Sequence, residues 1–324
     1  MKTLVCILPV LLALADPARA GLALSGEVDF AIQNVDAEWQ AGSAGTGRNQ
    51  LSLDGHQDLA EGLQVVTHLQ LRHRLSDGTF TAPGNHGSVA ARSAPGLSDA
   101  HIGLEAPWGK LRMGRLAFPM TRLNVGFEPF GGDTLASVNT EGIRATVRAN
   151  GAIAWRSPAW AGLQAEVALA GRKGQIPTGQ KGMLPAGLGL HWRGEALELA
   201  AAYDQNAESL RNVGLYAACR LRADLRVMAQ VEQGDLSPFN GQQLLRASTG
   251  VNLALGALLL RAGYLHRPDE DITKLGLGAD YALLPTTGVY GDISRQRGSG
   301  NATTGLITGL QRRPRLEVGL RHRF

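Results

Sequence analysis

Arg315-Leu316-Glu317-Val318-Gly319-Leu320-Arg321-His322-Arg323-Phe324 ends the chain in strict alternation. Leu316, Val318, Leu320 and Phe324 share one face, and Arg315, Glu317, Arg321 and Arg323 share the other. Side chains of a β-strand point to opposite faces with period two, so this segment reads as a strand with one apolar and one charged side. About ten residues of tilted strand are enough to cross the hydrocarbon of a bilayer.

The same alternation recurs towards the N-terminus. In Leu63 to Leu75, Leu63, Val65, Leu69 and Leu71 oppose Gln64, His68, Gln70, Arg72 and Arg74. Leu24, Val28, Phe30 and Ile32 alternate with Ser25, Glu27, Asp29 and Gln33. Leu163, Val167 and Leu169 alternate with Gln164, Glu166 and Arg172, and Leu275, Leu277 and Tyr281 with Lys274 and Asp280. The connections alternate as well. Ala106-Pro107-Trp108-Gly109, Gly194-Glu195 and Leu284-Pro285-Thr286 read as tight turns. Residues 34–47, 76–96, 118–141, 173–185 and 297–313 are long, polar and rich in Gly, Ser and Asn. Short connections at one end and long ones at the other are the signature of a transmembrane barrel. The fold class is therefore all-β: a sixteen-stranded antiparallel transmembrane β-barrel in one domain, residues 21–324, with both termini on the periplasmic side. Sixteen strands leave about nineteen residues per strand and connection, of which roughly ten span the membrane.

Composition fits that reading. Glycine is frequent, with 42 residues, which disfavours long helices, and no apolar run after the N-terminus is long enough for a spanning helix. At the N-terminus Lys2, the apolar run Leu4 to Ala15 and Ala18-Arg19-Ala20 form a secretory signal pattern, so residues 1–20 are expected to be removed. Cys6 would leave with them, stranding Cys219, so disulfides do not hold this secreted chain together. The net charge is +4, with basic residues scattered rather than clustered, which argues against nucleic acid as a partner.

The ending V-G-L-R-H-R-F resembles the last strand of the general trimeric outer-membrane porins, especially those of β-proteobacteria. Other segments are similar to the same family. Gly103-Leu104-Glu105 and Gly109-Lys110-Leu111-Arg112-Met113-Gly114-Arg115 match its strand–turn–strand ending in L-G-R. Phe130-Gly131-Gly132-Asp133-Thr134 matches the tip of the third loop. Trp155-x-Ser157-Pro158-x-Trp160-x-Gly162-Leu163 matches its Y-x-S-P-x-F-x-G segment, with Trp for the commoner Tyr and Phe. The resemblance implies a third loop, about 118–141, folded into the barrel and narrowing it. It implies a homotrimer in outer-membrane lipid, with Phe324 as the signal read by the barrel-assembly machinery. The low aromatic content, 5%, departs from the family and implies sparse aromatic girdles.

The implied function is passive diffusion of small hydrophilic solutes and ions, with a mild preference for anions. Such a pore does no bond chemistry; charges on its low-dielectric wall focus the field and select ions of opposite sign. Across the narrowest point the family sets arginines against an acidic loop. Arg148, by its spacing back from Trp155, matches a family position whose arginine lines the constriction, and Arg144 lies on the same parity. Arg72, Arg74 and Arg112 occupy polar faces of nearby strands, and Glu128, Asp133 and Glu141 supply the acidic side. Two other arginine positions of the family hold Gln50 and Ser98 here. Arg115 falls on the apolar parity, which points to a bulge where the loop begins.

Other chemistries find no support. Gly174 to Lys181 lacks the G-K-[ST] ending of a phosphate loop. The eight histidines show no H-E-x-x-H or paired metal spacing, and no nucleophile motif is present, so no metal, cofactor or catalytic residue is expected. The competing readings are a substrate-specific channel of the same fold, a barrel-embedded enzyme, and a barrel acting through its loops in adhesion. The shortage of aromatic residues to stack on sugars disfavours the first.

Overall fold

The alternating segments of the computed structural model form strands that hydrogen-bond into one closed antiparallel sheet. The structure describes residues 20–35, 37–42, 49–73, 75, 97–132, 134–138, 148–171, 183–207, 210–235, 243–298 and 314–324. The strands are β1 (Ala20–Val35), β2 (Glu38–Gly42), β3 (Gln50–Ala60), β4 (Leu63–Arg72), β5 (Leu97–Ala106) and β6 (Gly109–Ala117). A helix, α1 (Pro119–Val125), separates these from β7 (Arg148–Arg156), β8 (Leu163–Ala170), β9 (Ala186–Arg193), β10 (Leu197–Gln205) and β11 (Arg211–Arg222). The circuit continues through β12 (Leu225–Asp235), β13 (Gln243–Leu255), β14 (Leu258–Arg267), β15 (Ile272–Leu284), β16 (Thr287–Arg297) and β17 (Arg315–Arg323).

Both β2 and β3 pair with β1, one after the other along its length, Ala31↔Gly42 and Glu27↔Gln50 among their partners. They share one stave, so the seventeen strands of the sheet make sixteen staves. Of the segment 34–47, expected as a long loop, the described residues 34–35 and 38–42 instead continue the ladder: β1 runs to Val35, and Val35 pairs with Glu38. Ala37, at a φ of 73°, turns the chain there. The expected tight turns are observed between β5 and β6, β9 and β10, and β15 and β16. The expected signal segment, the connection 76–96 and most of 173–185 and 297–313 lie outside the described residues.

Closure falls to β17. Its residues pair with β1 from Glu27↔Arg323 to Asn34↔Leu316. Beyond it, the Gly26 N–H donates to Phe324 O (3.0 Å) and the Phe324 N–H to Gly26 O (3.1 Å). The Phe324 ring then lies over Gly26, where an added Cβ would sit 2.5 Å from its Cζ.

Burial is inverted relative to a water-soluble protein. Leu215 is 59% exposed, Val318 64% and Leu275 48%, whereas Glu232 and Arg246 are 0%. The apolar parity faces out and the charged parity faces in. Such an outer surface is favourable only in hydrocarbon, and a closed barrel is the one sheet that leaves no unpaired backbone there.

The inner face is unevenly filled. Phe118 and Leu116 pack with Ala149, Ala152, Ala154, Ala168 and Ala170. Met120 and Phe127 pack on Ala200, Ala202, Tyr216 and Met228. These contacts place the segment after β6 inside the barrel, on inner faces kept low by alanine. Glycines do the same elsewhere: a Cβ on Gly187 would come within 2.6 Å of Pro119, and one on Gly276 within 2.2 Å of Ala136 O.

Candidate functional site

Segment 118–138 leaves β6, forms α1, and is then pinned along the wall by inward side chains in strand order. Gln230 Nε2 donates to Phe127 O at 2.7 Å, and Arg226 Nη2 to Gly126 O at 3.0 Å, both from β12. From β13, Arg246 Nη2 donates to Val138 O at 2.6 Å, while Nη1 reaches Glu232 Oε2 at 2.7 Å. Lys274 Nζ of β15 donates to Ser137 O at 2.7 Å, and Ser294 Oγ of β16 to Leu135 O at 2.9 Å. Glu317 Oε2 of β17 accepts the Leu135 N–H at 2.8 Å. Arg261 of β14 stacks over the Phe130 ring, 4.9 Å from its centroid. All these partners belong to β12–β17, and α1 itself packs against β8–β11. The passage that remains is bounded on its other side by the inner faces of β1 and β3–β6.

Glu128 organises the tip of this segment. Its Oε2 accepts the N–H groups of Phe130 (2.9 Å) and Gly132 (2.7 Å), and its Oε1 that of Val138 (2.9 Å). Gly131 and Gly132 adopt φ values of 68° and 79°, which only glycine takes at little cost, and so let the chain curl round the carboxylate. Glu128 is 4% exposed. Burial pushes its carboxyl above the usual carboxylate range, and these N–H donors together with the Ser137 hydroxyl pull it back down. The sequence reading set Glu128 on the acidic side of the pore. The structure instead turns it into the loop, where three backbone donors converge on it.

A second charged centre lies where the loop leaves the wall. Glu166 of β8 is 4% exposed and receives three guanidinium groups. Arg112 Nη2 lies 2.9 Å from Oε1, Arg156 Nε 3.2 Å from Oε2, and Arg122 of α1 also contacts Oε2. Arg193 lines the same cleft, of about 140 Å³, with His191 and Glu198. Among the described residues Arg193 has no carboxylate partner, whereas Glu198 lies 3.3 Å from Arg226 and 3.8 Å from His191.

The expected constriction residues therefore separate. Arg112 joins the Glu166 centre. Arg72 ends β4 on the open wall, paired in register with Gln50. Ser98, at another of the family's arginine positions, is 0% exposed and hydrogen-bonds Gln70 at 2.5 Å. Arg74, Asp133, Glu141 and Arg144 lie outside the described residues. Arg148 and Arg156, expected on one uninterrupted face, are divided by a bulge. Gly114 pairs with Ala152 but Leu116 with Ala149, so β7 carries one extra residue, with Gly151 at a φ of 58°. Ala149, Ala152 and Ala154 share the inner cluster, and Arg148 stands one step off that parity, opposite Ala117. Arg115 sits at the same irregularity, donating to Leu97 O at 3.0 Å and Asn150 Oδ1 at 2.6 Å. The sequence reading missed Arg122, Arg193 and the anchoring role of Arg246 and Lys274. Arg122 had no strand parity to mark it.

This architecture is shared with solved outer-membrane structures. An anion-selective porin from Comamonas acidovorans superposes with a TM-score of 0.74 at 19% identity, covering 94% of this chain and 100% of its own. A loop-deletion mutant of OmpT, an outer-membrane protein of Vibrio cholerae, gives 0.71 at 12%, with the same coverage of both chains. A mutant of the Rh. blastica porin gives 0.69 at 15%, again with 94% and 100% covered. No curated protein sequence matches the chain. The family model for Gram-negative porins matches residues 8–301. The chain belongs to the Gram-negative porin family, and it forms an outer-membrane channel for passive diffusion of small hydrophilic solutes.

Proposed function

We propose that this channel favours anions weakly, and that the excess of guanidinium groups around Glu166 sets the preference. Arg112, Arg122 and Arg156 converge there on one carboxylate, and Arg193 lines the same cleft. Fixed charge on a low-dielectric wall raises the local concentration of the opposite ion. The inner arginines of β14 and β17 count for less, because acids neutralise them. Arg261 lies 2.7 Å from Asp280 and 3.2 Å from Asp292, and Arg321 3.2 Å from Asp29. The structural likeness to a porin described as anion-selective supports the same sign.

In this reading residues 1–20 are a cleaved signal and the mature chain is a homotrimer in outer-membrane lipid. The barrel-assembly machinery reads the strand that ends in Phe324. Segment 118–141 is the constriction, and no catalytic step accompanies transport. The test of selectivity is the zero-current potential across a planar bilayer under a KCl gradient. Wild type should be mildly anion-selective, and Arg193→Glu should move the potential towards cations. Arg222→Glu, whose side chain is 63% exposed beside Asp224 in a short turn, should move it far less. Equal shifts from the two variants, or a cation-selective wild type, would overturn the assignment.

A further inference from the structure

On the wall that the loop leaves open, β4 and β5 bring two histidines together. His68 and His101 are direct cross-strand partners. Both stand on the inward parity: Leu69 and Ile102, one residue further on, are 36% and 42% exposed on the outer face. The ring centroids are 5.3 Å apart. Each ring is held by its own carboxylate. His68 Nδ1 lies 2.7 Å from Asp54 Oδ1, and His101 Nδ1 2.8 Å from Asp99 Oδ1. The side chains remain 23% and 11% exposed, so neither is sealed from the lumen.

We infer that His68 and His101 form a two-histidine site for a divalent transition-metal ion in the wall of the pore. A carboxylate that accepts Nδ1–H fixes the tautomer and leaves the Nε2 lone pair as the donor, the arrangement found behind metal-bound imidazoles. Both rings are fixed in this way, and Nε2 is the one nitrogen of each left to ligate. The spacing fits. With metal–nitrogen bonds of about 2.0–2.1 Å and a roughly tetrahedral angle, two imidazoles on one ion have centroids about 5.2 Å apart. Among the described residues no group of three or more His, Cys, Asp or Glu is placed so that it could hold a metal ion. The site therefore has two protein ligands, with water or a passing solute completing the shell. Imidazole donors select copper, zinc or nickel over magnesium or calcium, with copper the tightest. Asp54 and Asp99 offset the charge of the bound ion. A cation held there adds positive charge to the passage and narrows it.

The test uses tag-free purified protein stripped with EDTA, and Cu2+ or Zn2+ alone as probe. Titration calorimetry should find a site that weakens at least tenfold in His68→Gln and equally in His101→Gln. Asp54→Asn should weaken it about 10–100-fold, as loss of an orienting partner does. His322→Gln, on β17 beside Thr287, should leave it unchanged. X-ray absorption of the loaded wild type should count two imidazole ligands, a result independent of how any variant folds. In single-channel recordings Cu2+ should lower the wild-type conductance reversibly, and spare both histidine variants. One imidazole or none, or unchanged affinity in either histidine variant, overturns the site. Diffusion through the metal-free pore stands or falls separately, on the conductance recorded in EDTA.

Discussion

Removing the Glu128 side chain tests whether the loop tip is held by its own carboxylate. Glu128→Ala leaves the N–H groups of Phe130, Gly132 and Val138 without their acceptor. A buried donor left unsatisfied costs about 1–3 kcal/mol, so three would cost roughly 3–9 kcal/mol if nothing relaxed. Two effects reduce that. The variant no longer buries a carboxyl whose desolvation opposes the charged form. The loosened tip also admits water to the donors. The expected net is near the low end, about 3 kcal/mol, or roughly a hundredfold shift from docked to undocked tip. Hydrogen exchange of those three amides, followed by mass spectrometry in detergent, should accelerate by that order. Single-channel recordings should show added open-state noise, because the tip borders the passage. Glu128→Gln keeps the oxygen that serves Val138 but sets an amide NH2 against the other two donors, so it should fall between. Glu105→Ala removes a carboxylate that pairs with Lys110 at 2.7 Å on the far wall, and should exchange as wild type. Wild-type exchange rates and noise in Glu128→Ala would refute the reasoning.

Two more perturbations probe the barrel itself. Phe324→Asp should lower the outer-membrane level sharply, because it removes the ring that caps Gly26 where the last strand closes on the first; normal levels by quantitative blotting would contradict this. Gly276→Ala puts a methyl 2.2 Å from Ala136 O, so the tip must move inward from β15 by about 1 Å. Overpacking of this kind costs about 1–3 kcal/mol. The midpoint of heat-induced gel-shift unfolding and the conductance should both fall, whereas Gly291→Ala, with its nearest atom at 3.9 Å, should alter neither.

Several features of the site were legible before folding. Arg115 on an apolar parity pointed to an irregularity at this place, although the extra residue lies opposite it, on β7. The Ser-Pro turn after β7 was visible as a motif, and Ser157 Oγ indeed accepts the Ala165 N–H at 2.9 Å. The position of Arg148 was not, since the extra residue at Asn150–Gly151 carries no apolar or charged side chain to betray a change of phase. Lys274 reads as an inward-facing charge by parity. Parity says that a side chain faces inward, and it cannot say that a loop from the far side of the barrel will cover it.

The sequence by itself determined which face of each strand meets lipid, the number of staves, and the strand that closes the circuit. These follow from a backbone geometry that repeats every two residues, so each is written locally in about ten amino acids. Only the tertiary structure decided which inward charges reach water. The path of segment 118–138 is fixed by anchors from β12 to β17, more than a hundred residues away in the case of Arg246 and Lys274. It also decided that His68 faces His101. That pairing depends on the register between β4 and β5, set across a connection of more than twenty residues, and no spacing along the chain encodes it.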